Sequence, residues 1–513
     1  MPSSFEKLYL LAIVSLNVFI FRYLVRIYQR RQYVQLHGCK PVPKLPQKRS
    51  HLGFDTLFES YSRFQDKSYL QLSRQRFEET GYTYQFRQLG VTKINTVEPE
   101  NVKTILSTKF QDFSVSDKRR NAFEPLIGHG IFTSDGPSWE HSRQIIRPAF
   151  ARQELNDLTN LEEHVKALLE QLFSAGNEKP VDLQRHFLDL SLDFATDFLF
   201  GQTAASLQTP QTMRKAQDFG TAFDRAQQAA AKFFALGSFA RFVPDDQFQK
   251  DKSTVHGFVN KYVDLALDRK QEPSCTSPPL DKYRFIDEFS KHTQDPKLLR
   301  GGLLNVLLAG RDTTASLLSN LWFVIARRPD IWEKLQAEIA TQIPHSDMDH
   351  PPTLEDIKPL KYLRNCINES LRLHPPIPRN SRTAIRDTHL PLGGGPDGRS
   401  PVFVPAGTEI GYQCYAMQRR HDIFGPDADE FKPERWDCKE LRPGWAFLPF
   451  NGGPRICLGQ QFAINEASYV CVRLLQAFDT IESTNSANWQ EGLGLACSTS
   501  AGTWVSLRKK PST

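Results

Sequence analysis

Cys457 lies in the stretch Phe450-Asn451-Gly452-Gly453-Pro454-Arg455-Ile456-Cys457-Leu458-Gly459. Glycines this close let backbone amides approach a sulfur. Amide hydrogen bonds stabilise a thiolate and tune the electron density it gives to a metal. Arg455, two residues earlier, is a fixed cation suited to pairing with a carboxylate. Taken alone, Cys457 also reads as a buried structural thiol, the commoner fate of a single cysteine.

Three further groupings lie upstream. Ala309-Gly310-Arg311-Asp312-Thr313-Thr314 falls inside a long apolar run. Glycine and back-bonding threonines loosen a helix and leave room for water or a small molecule. An acid beside a hydroxyl in such a run is costly without a partner. Its functional reading is a proton relay through Asp312 and Thr313, and its bland reading a kink with a satisfied aspartate. Glu369 and Arg372 stand at i and i+3, where a charge pair forms on one helix face, and Phe431-Lys432-Pro433-Glu434-Arg435-Trp436 follows. By itself that pair is a common surface feature. Trp139-Glu140-His141-Ser142-Arg143 sets an indole and a guanidinium about one helical turn apart, a spacing that a buried Trp beside an exposed Arg would share.

In this order the stretches resemble the cytochromes P450. Phe450 to Gly459 matches that family's haem signature, Phe-x-x-Gly-x-Arg-x-Cys-x-Gly, at every fixed position. The resemblance implies a single haem domain, mainly α with small β sheets, holding haem b with Cys457 as the axial ligand of its iron. It implies that Phe450, Arg455, Trp139, Arg143 and Arg382 contact the haem, the last four through its propionates. It implies that Thr313 hydrogen-bonds the bound dioxygen while Asp312 relays protons from solvent. Glu369, Arg372 and Arg435 would form a structural triad that seats the haem loop. The implied reaction is monooxygenation: one atom of O2 enters a C–H bond and the other leaves as water. NADPH would supply the electrons through a separate NADPH–cytochrome P450 reductase, to which a basic surface would suit an acidic flavoprotein.

These groups need a large scaffold, and 513 residues supply ample core. Residues 81–98 are rich in β-formers and predict a small sheet. From about 134 to 310 the apolar spacing is helical, as at Leu161, Val165, Leu168 and Leu169. Helices are expected over 305–328, 353–373 and 459–478, with short strands near 384–390, 401–405, 409–415 and 503–508. Gly393-Gly394-Gly395-Pro396-Asp397-Gly398 lacks the Lys and the helix of a phosphate loop, so it reads as a turn between strands. No G-x-G-x-x-G follows a strand, so no built-in flavin or nicotinamide domain is expected. Net charge is +6 without a Lys/Arg block, and no C-x-x-C pair occurs, which argues against nucleic acid and zinc modules. The eight cysteines are scattered, as expected of reduced thiols facing a cytosolic environment. No histidine cluster suggests a metal site; His141 and His374 read as helix residues.

The amino-terminal region reads differently. Leu8 to Phe21 is almost wholly apolar, and the run to Val25 reaches the lower limit for a membrane-spanning helix. Arg22, Arg26, Arg30 and Arg31 follow it, whereas only Lys7 and Glu6 precede it. The positive-inside rule then leaves the remainder cytosolic, and the charge order argues against a cleaved signal peptide. Residues 1–28 are thus expected to anchor the chain in the endoplasmic reticulum membrane. Residues 29–50, with Pro41, Pro43 and Pro46, should form a stiff basic linker, and 51–513 the haem-thiolate domain, as a monomer.

The substrate is the least legible part. Leu126–Phe132 with Asp135-Gly136, Arg143 with Arg147-Pro148, Gly393–Gly398 and Asp427–Glu430 resemble the fungal alkane- and fatty-acid-hydroxylating cytochromes P450. This implies attack near the end of a long alkyl chain, in an apolar channel with a polar or cationic mouth. Phe233-Phe234-Ala235-Leu236-Gly237-Ser238-Phe239 suits a channel wall or an ordinary helix core. Leu495–Gly502, small and polar, suits a plain turn or a bulkier oxygenated substrate such as a fungal terpenoid or polyketide metabolite. A haem-thiolate isomerase or dehydratase would not need the Asp312–Thr313 relay, and a non-catalytic membrane protein would not need the haem signature.

Overall fold

The computed structural model describes residues 4–48, 52–150, 158–176, 179–204, 207, 210–237, 240, 243–271 and 284–510. The chain divides into two compact units, residues 1–58, 75–114 and 381–412 in one and 59–74, 115–380 and 413–513 in the other.

The first unit begins with helix α1, Ser4–Leu36, long and apolar enough to cross a membrane. Its side chains from Leu8 to Leu24 are largely exposed. The helix runs past residue 28, where the anchor was expected to end, because its last turns have partners. Arg30 grips Asp387 with two hydrogen bonds of 2.8 Å, and the Tyr33 hydroxyl meets His389 Nδ1 at 2.8 Å. Gly38, at φ +62°, then ends the helix as the Cys39 amide donates back to the Val34 carbonyl. The proline-rich segment does not stand off as a linker. Cys39, Val42 and Leu45 are buried, and the Lys40 and Leu45 amides bond to the carbonyls of Pro401 and Gln85.

A five-stranded sheet follows, in the order Thr83–Gln88, Val91–Thr96, Glu409–Tyr412, Asn380–Ala384 and Phe113–Ser114. The hairpin Thr388–Gly394/Ser400–Val404 holds the glycine-rich turn, as its composition predicts. The expected strand over 409–415 stops at Tyr412, and Cys414–Met417 is a helical turn.

The second unit is mainly helical. Its principal helices are α2 (Asp117–Ile127), α3 (Gly136–Ile146), α4 (Thr159–Ser174), α5 (Leu183–Phe200), α6 (Pro210–Leu236), α7 (Asp246–Gln271), α8 (Pro296–Ile325), α9 (Lys361–Leu373) and α10 (Gln460–Ala477). One apolar cluster joins α4, α5, α8, α9 and α10 around Trp322 and Phe187. A second, rich in phenylalanine, joins α2, α5, α6, α7 and α8. α8 opens with Asp295 as N-cap, its carboxylate accepting from the Lys297 amide at 2.8 Å, and Pro296 at the first turn. Gly301 lets the 128–130 loop cross α8: a Cβ there would sit 2.8 Å from the His129 carbonyl oxygen. The single helix expected over 353–373 is two, Leu354–Ile357 and α9, because Pro359 has no amide proton to continue the hydrogen bonding of the first.

Small sheets complete this unit: Val181–Asp182, Trp504–Lys509 and Phe478–Ser483 in one, Glu491–Leu493 paired with Cys497–Thr499 in another. The cysteines among the described residues are unbridged, as expected; Cys275, like Ser238 and Phe239 of the aromatic segment, lies outside them.

Candidate active site

Cys457 sits three residues before α10, on the loop that follows the 3-10 turn Gly453–Arg455. Its amide donates to the Phe450 carbonyl at 3.0 Å, which closes the loop on itself. Gly452 is required by its neighbour, since a Cβ there would come within 2.5 Å of the Trp445 ring. Burial pushes the Cys457 thiol up, while a hydrogen bond from the Gly459 amide and the nearby Arg143 charge pull it back. Yet Cys457 is accessible by surface.

Along α8 burial is interrupted at one place. Between Gly301 and Phe323 every residue is buried except Ala309, Gly310, Asp312 and Thr313, which are half-buried. A Cβ on Gly310 would meet only Ala195, at 3.8 Å. The Thr313 hydroxyl donates to the Ala309 carbonyl at 2.6 Å, the back-bond foreseen from sequence. Asp312 is not a lone acid: Arg311 Nη1 donates to it at 2.8 Å and to Asp224 of α6 at 2.6 Å. Burial raises the Asp312 pKa against the pull of Arg311. α8 also packs against α10, where Thr314 offsets part of the burial that lifts Glu466 to about 8.

The cations expected around the cofactor fall into two places. Arg455 Cζ stands 4.2 Å from the buried Trp139 ring centre, and Arg143 Cζ 5.8 Å from it. Arg455 also donates to Asp135 at 2.6 Å and to the Ser134 carbonyl at 2.9 Å. Trp139, Arg143, Arg455 and Cys457 are therefore gathered together. Arg382 belongs to the other unit, on the strand Asn380–Ala384, buried and donating to the Ser381 carbonyl at 2.7 Å.

Glu369 and Arg372 are fully buried, not a surface pair. Glu369 accepts from Arg372 at 2.7 and 2.9 Å, Arg435 at 3.3 Å, Trp436 Nε1 at 3.0 Å and the Lys432 amide at 3.0 Å. Gln418, absent from the sequence reading, extends this network toward Cys457. Its amide donates to the Leu371 and Arg372 carbonyls, and its oxygen accepts from the Leu448 amide at 2.9 Å. Asp135, Asp224, Gln418 and Glu466 are the site's unforeseen members. Only Glu466 left a trace, an acid in the otherwise largely apolar stretch of α10.

The residues fit a haem held by a thiolate: the Cys457 sulfur is accessible, the half-buried stretch of α8 leaves room at Gly310, and Arg143 and Arg455 are gathered near the sulfur as partners for acidic groups. This defines the class as a haem-thiolate protein. The sequence pattern described as Cytochrome P450 matches residues 54–501, and the chain belongs to that family. It is 43% identical to cytochrome P450 monooxygenase himC of Aspergillus japonicus, over 94% of this chain and 86% of the relative. It is 39% identical to cytochrome P450 monooxygenase fsdH of Fusarium heterosporum, over 97% and 88%. Against cytochrome P450 52A5 of Candida maltosa the figure is 40%, over 92% and 90%. The enzyme is a cytochrome P450 monooxygenase.

Proposed function

We propose that the enzyme hydroxylates a long alkyl chain, an alkane or fatty acid, at or near its end. The haem, held by Cys457, supplies dioxygen activation, which thiolate donation favours. The protein's part is positioning and protons. The Thr313 hydroxyl donates its hydrogen bond to the Ala309 carbonyl, so its oxygen keeps lone pairs to accept another. Asp312, buried beside it with a raised pKa, takes up and releases the proton. The observation that carries these roles is the half-burial of Ala309, Gly310, Asp312 and Thr313 in the otherwise buried stretch from Gly301 to Phe323. Arg455, Arg143 and Trp139 would hold the propionates, and the Glu369 triad would fix the loop that presents Cys457. Electrons come from NADPH through NADPH–cytochrome P450 reductase, with α1 anchoring the enzyme in the endoplasmic reticulum membrane and the catalytic domain cytosolic.

The alkyl-chain reading is supported by the phenylalanine-rich cluster around α2, α6 and α8, with Leu495 packed against it. Lys118 Nζ lies over the Phe234 ring at 4.7 Å, and Phe123 stands beside Phe234. This puts a cation next to an apolar wall, as a fatty-acid carboxylate requires. A second reading, tailoring oxidation of a fungal terpenoid or polyketide, is favoured by the small polar residues of 496–501. Among them the buried Ser500 hydroxyl has no hydrogen-bond partner.

The deciding experiment is product analysis by mass spectrometry with reductase and NADPH over alkanes, fatty acids and terpenoid or polyketide acids. Terminal hydroxylation of the simple chains is expected. With Lys118→Glu, KM should rise several-fold for the acids and stay unchanged for the alkanes. Turnover of a complex scaffold alone would replace the first reading by the second.

A further inference from the structure

Arg311 is 4% exposed, and its guanidinium serves two carboxylates from different helices. Asp224 of α6 takes hydrogen bonds of 2.6 and 3.3 Å, and Asp312 takes one of 2.8 Å. Nε of Arg311 has no hydrogen-bond partner, so the two acids supply the side chain's hydrogen bonds among the described residues. Exposure falls inward along the series, from 43% at Asp224 to 12% at Asp312, with Thr313 next in the chain. One cation cannot fully neutralise two carboxylates. A lone buried Arg–Asp pair would hold Asp312 ionised, and a group so held is a poor proton carrier.

We propose that Asp224 is a positioning residue for proton delivery: by sharing Arg311 with Asp312, it keeps Asp312 able to bind and release a proton. The inference rests on the relay role given to Asp312 above. The surroundings agree. Desolvation raises Asp312, Arg311 opposes that, and Asp224 adds to the rise, while the Gln227 side chain of α6 lowers it. From α5, Asp189 also draws on Arg311; burial lifts it to about 6, with Arg185 and Arg311 opposing and Asp193 and Asp224 adding. The cluster is short of positive charge, and Asp224 is its most exposed member in contact with Arg311.

Asp224→Asn keeps the shape and removes the charge, so Asp312 would then be the one carboxylate hydrogen-bonded to Arg311, with Asp189 still drawing on its charge. The test is the infrared carbonyl band of protonated carboxyls, followed against pH in the resting holoenzyme and assigned by its absence from Asp312→Asn. In Asp224→Asn the Asp312 titration should move to lower pH, a loss of proton affinity of about tenfold or more. Asp224→Glu should restore it. During turnover, peroxide released per NADPH should rise several-fold in Asp224→Asn and return in Asp224→Glu. An unmoved or upward titration in a variant with wild-type thermal stability overturns the inference and leaves the Asp312 relay standing. If Asp312→Asn itself leaves product per NADPH unchanged, the relay reading fails and this inference with it.

Discussion

Glu466 shows how much one buried side chain can govern. It lies nine residues after Cys457, 3% exposed, and burial sets its carboxyl at about 8. The folded chain keeps this proton at pH values where an unfolded carboxyl has lost it, so folding takes up a proton between the ordinary carboxylate range and about pH 8. Stability therefore falls as pH rises through that window. Glu466→Gln removes the penalty. The variant should be roughly several kcal/mol more stable at pH 8 and no more stable at pH 4. Thermal midpoints at the two pH values check this, and an equal gain at both would contradict it. Glu369 is the opposite case, a carboxylate buried with five hydrogen-bond donors around it. Both the glutamate of the triad and the arginine at 372 could be read from chain spacing. Their depth could not, because an i,i+3 pair looks the same on a surface and in a core.

At the scale of an element, α8 organises the unit because other segments hang from it. Asn305, fully buried, donates to the Ile127 and Gly301 carbonyls at 2.9 and 2.8 Å and accepts from the Phe132 amide at 3.1 Å. It thereby fixes the 127–134 loop, which leads into Asp135, the partner of Arg455. Asn305→Ala leaves a buried amide and a carbonyl without partners, at a cost of about 1–3 kcal/mol. The holoenzyme's thermal midpoint should fall accordingly, and an unchanged midpoint would show that the loop is held elsewhere. The apolar run of α8 made the helix predictable, as alternating β-formers did for Thr83–Thr96. Its polar attachments were not, since Asn305 meets a carbonyl 178 residues away and Arg311 an aspartate 87 residues away. Periodicity describes one helix face, not which loop comes to lie on it.

For the molecule as a whole, short-range spacing made the Phe450–Gly459 signature, the Ala309–Thr314 stretch and the Glu369–Arg372 pair legible in the sequence. The last turns of α1 were not legible, because they meet Asp387 and His389, more than 350 residues downstream. Two truncations separate anchoring from folding. Removal of residues 1–28 should release the chain from membranes while retaining the Arg30 and Tyr33 contacts. Removal of residues 1–36 strips them, at roughly 1–2 kcal/mol. Membrane fractionation and the thermal midpoints of both proteins measure this, and identical midpoints would make the contacts idle.

The contacts of α1 with Asp387 and with His389 of the hairpin Thr388–Val404 also bear on descent. An anchor of this kind is not an interchangeable tail: a graft from a relative spliced at residue 39 would bring foreign residues opposite Asp387 and His389. Variation in the last turns of the helix and in the hairpin should therefore be inherited as one block, and chimeras between relatives should be joined upstream of Arg30.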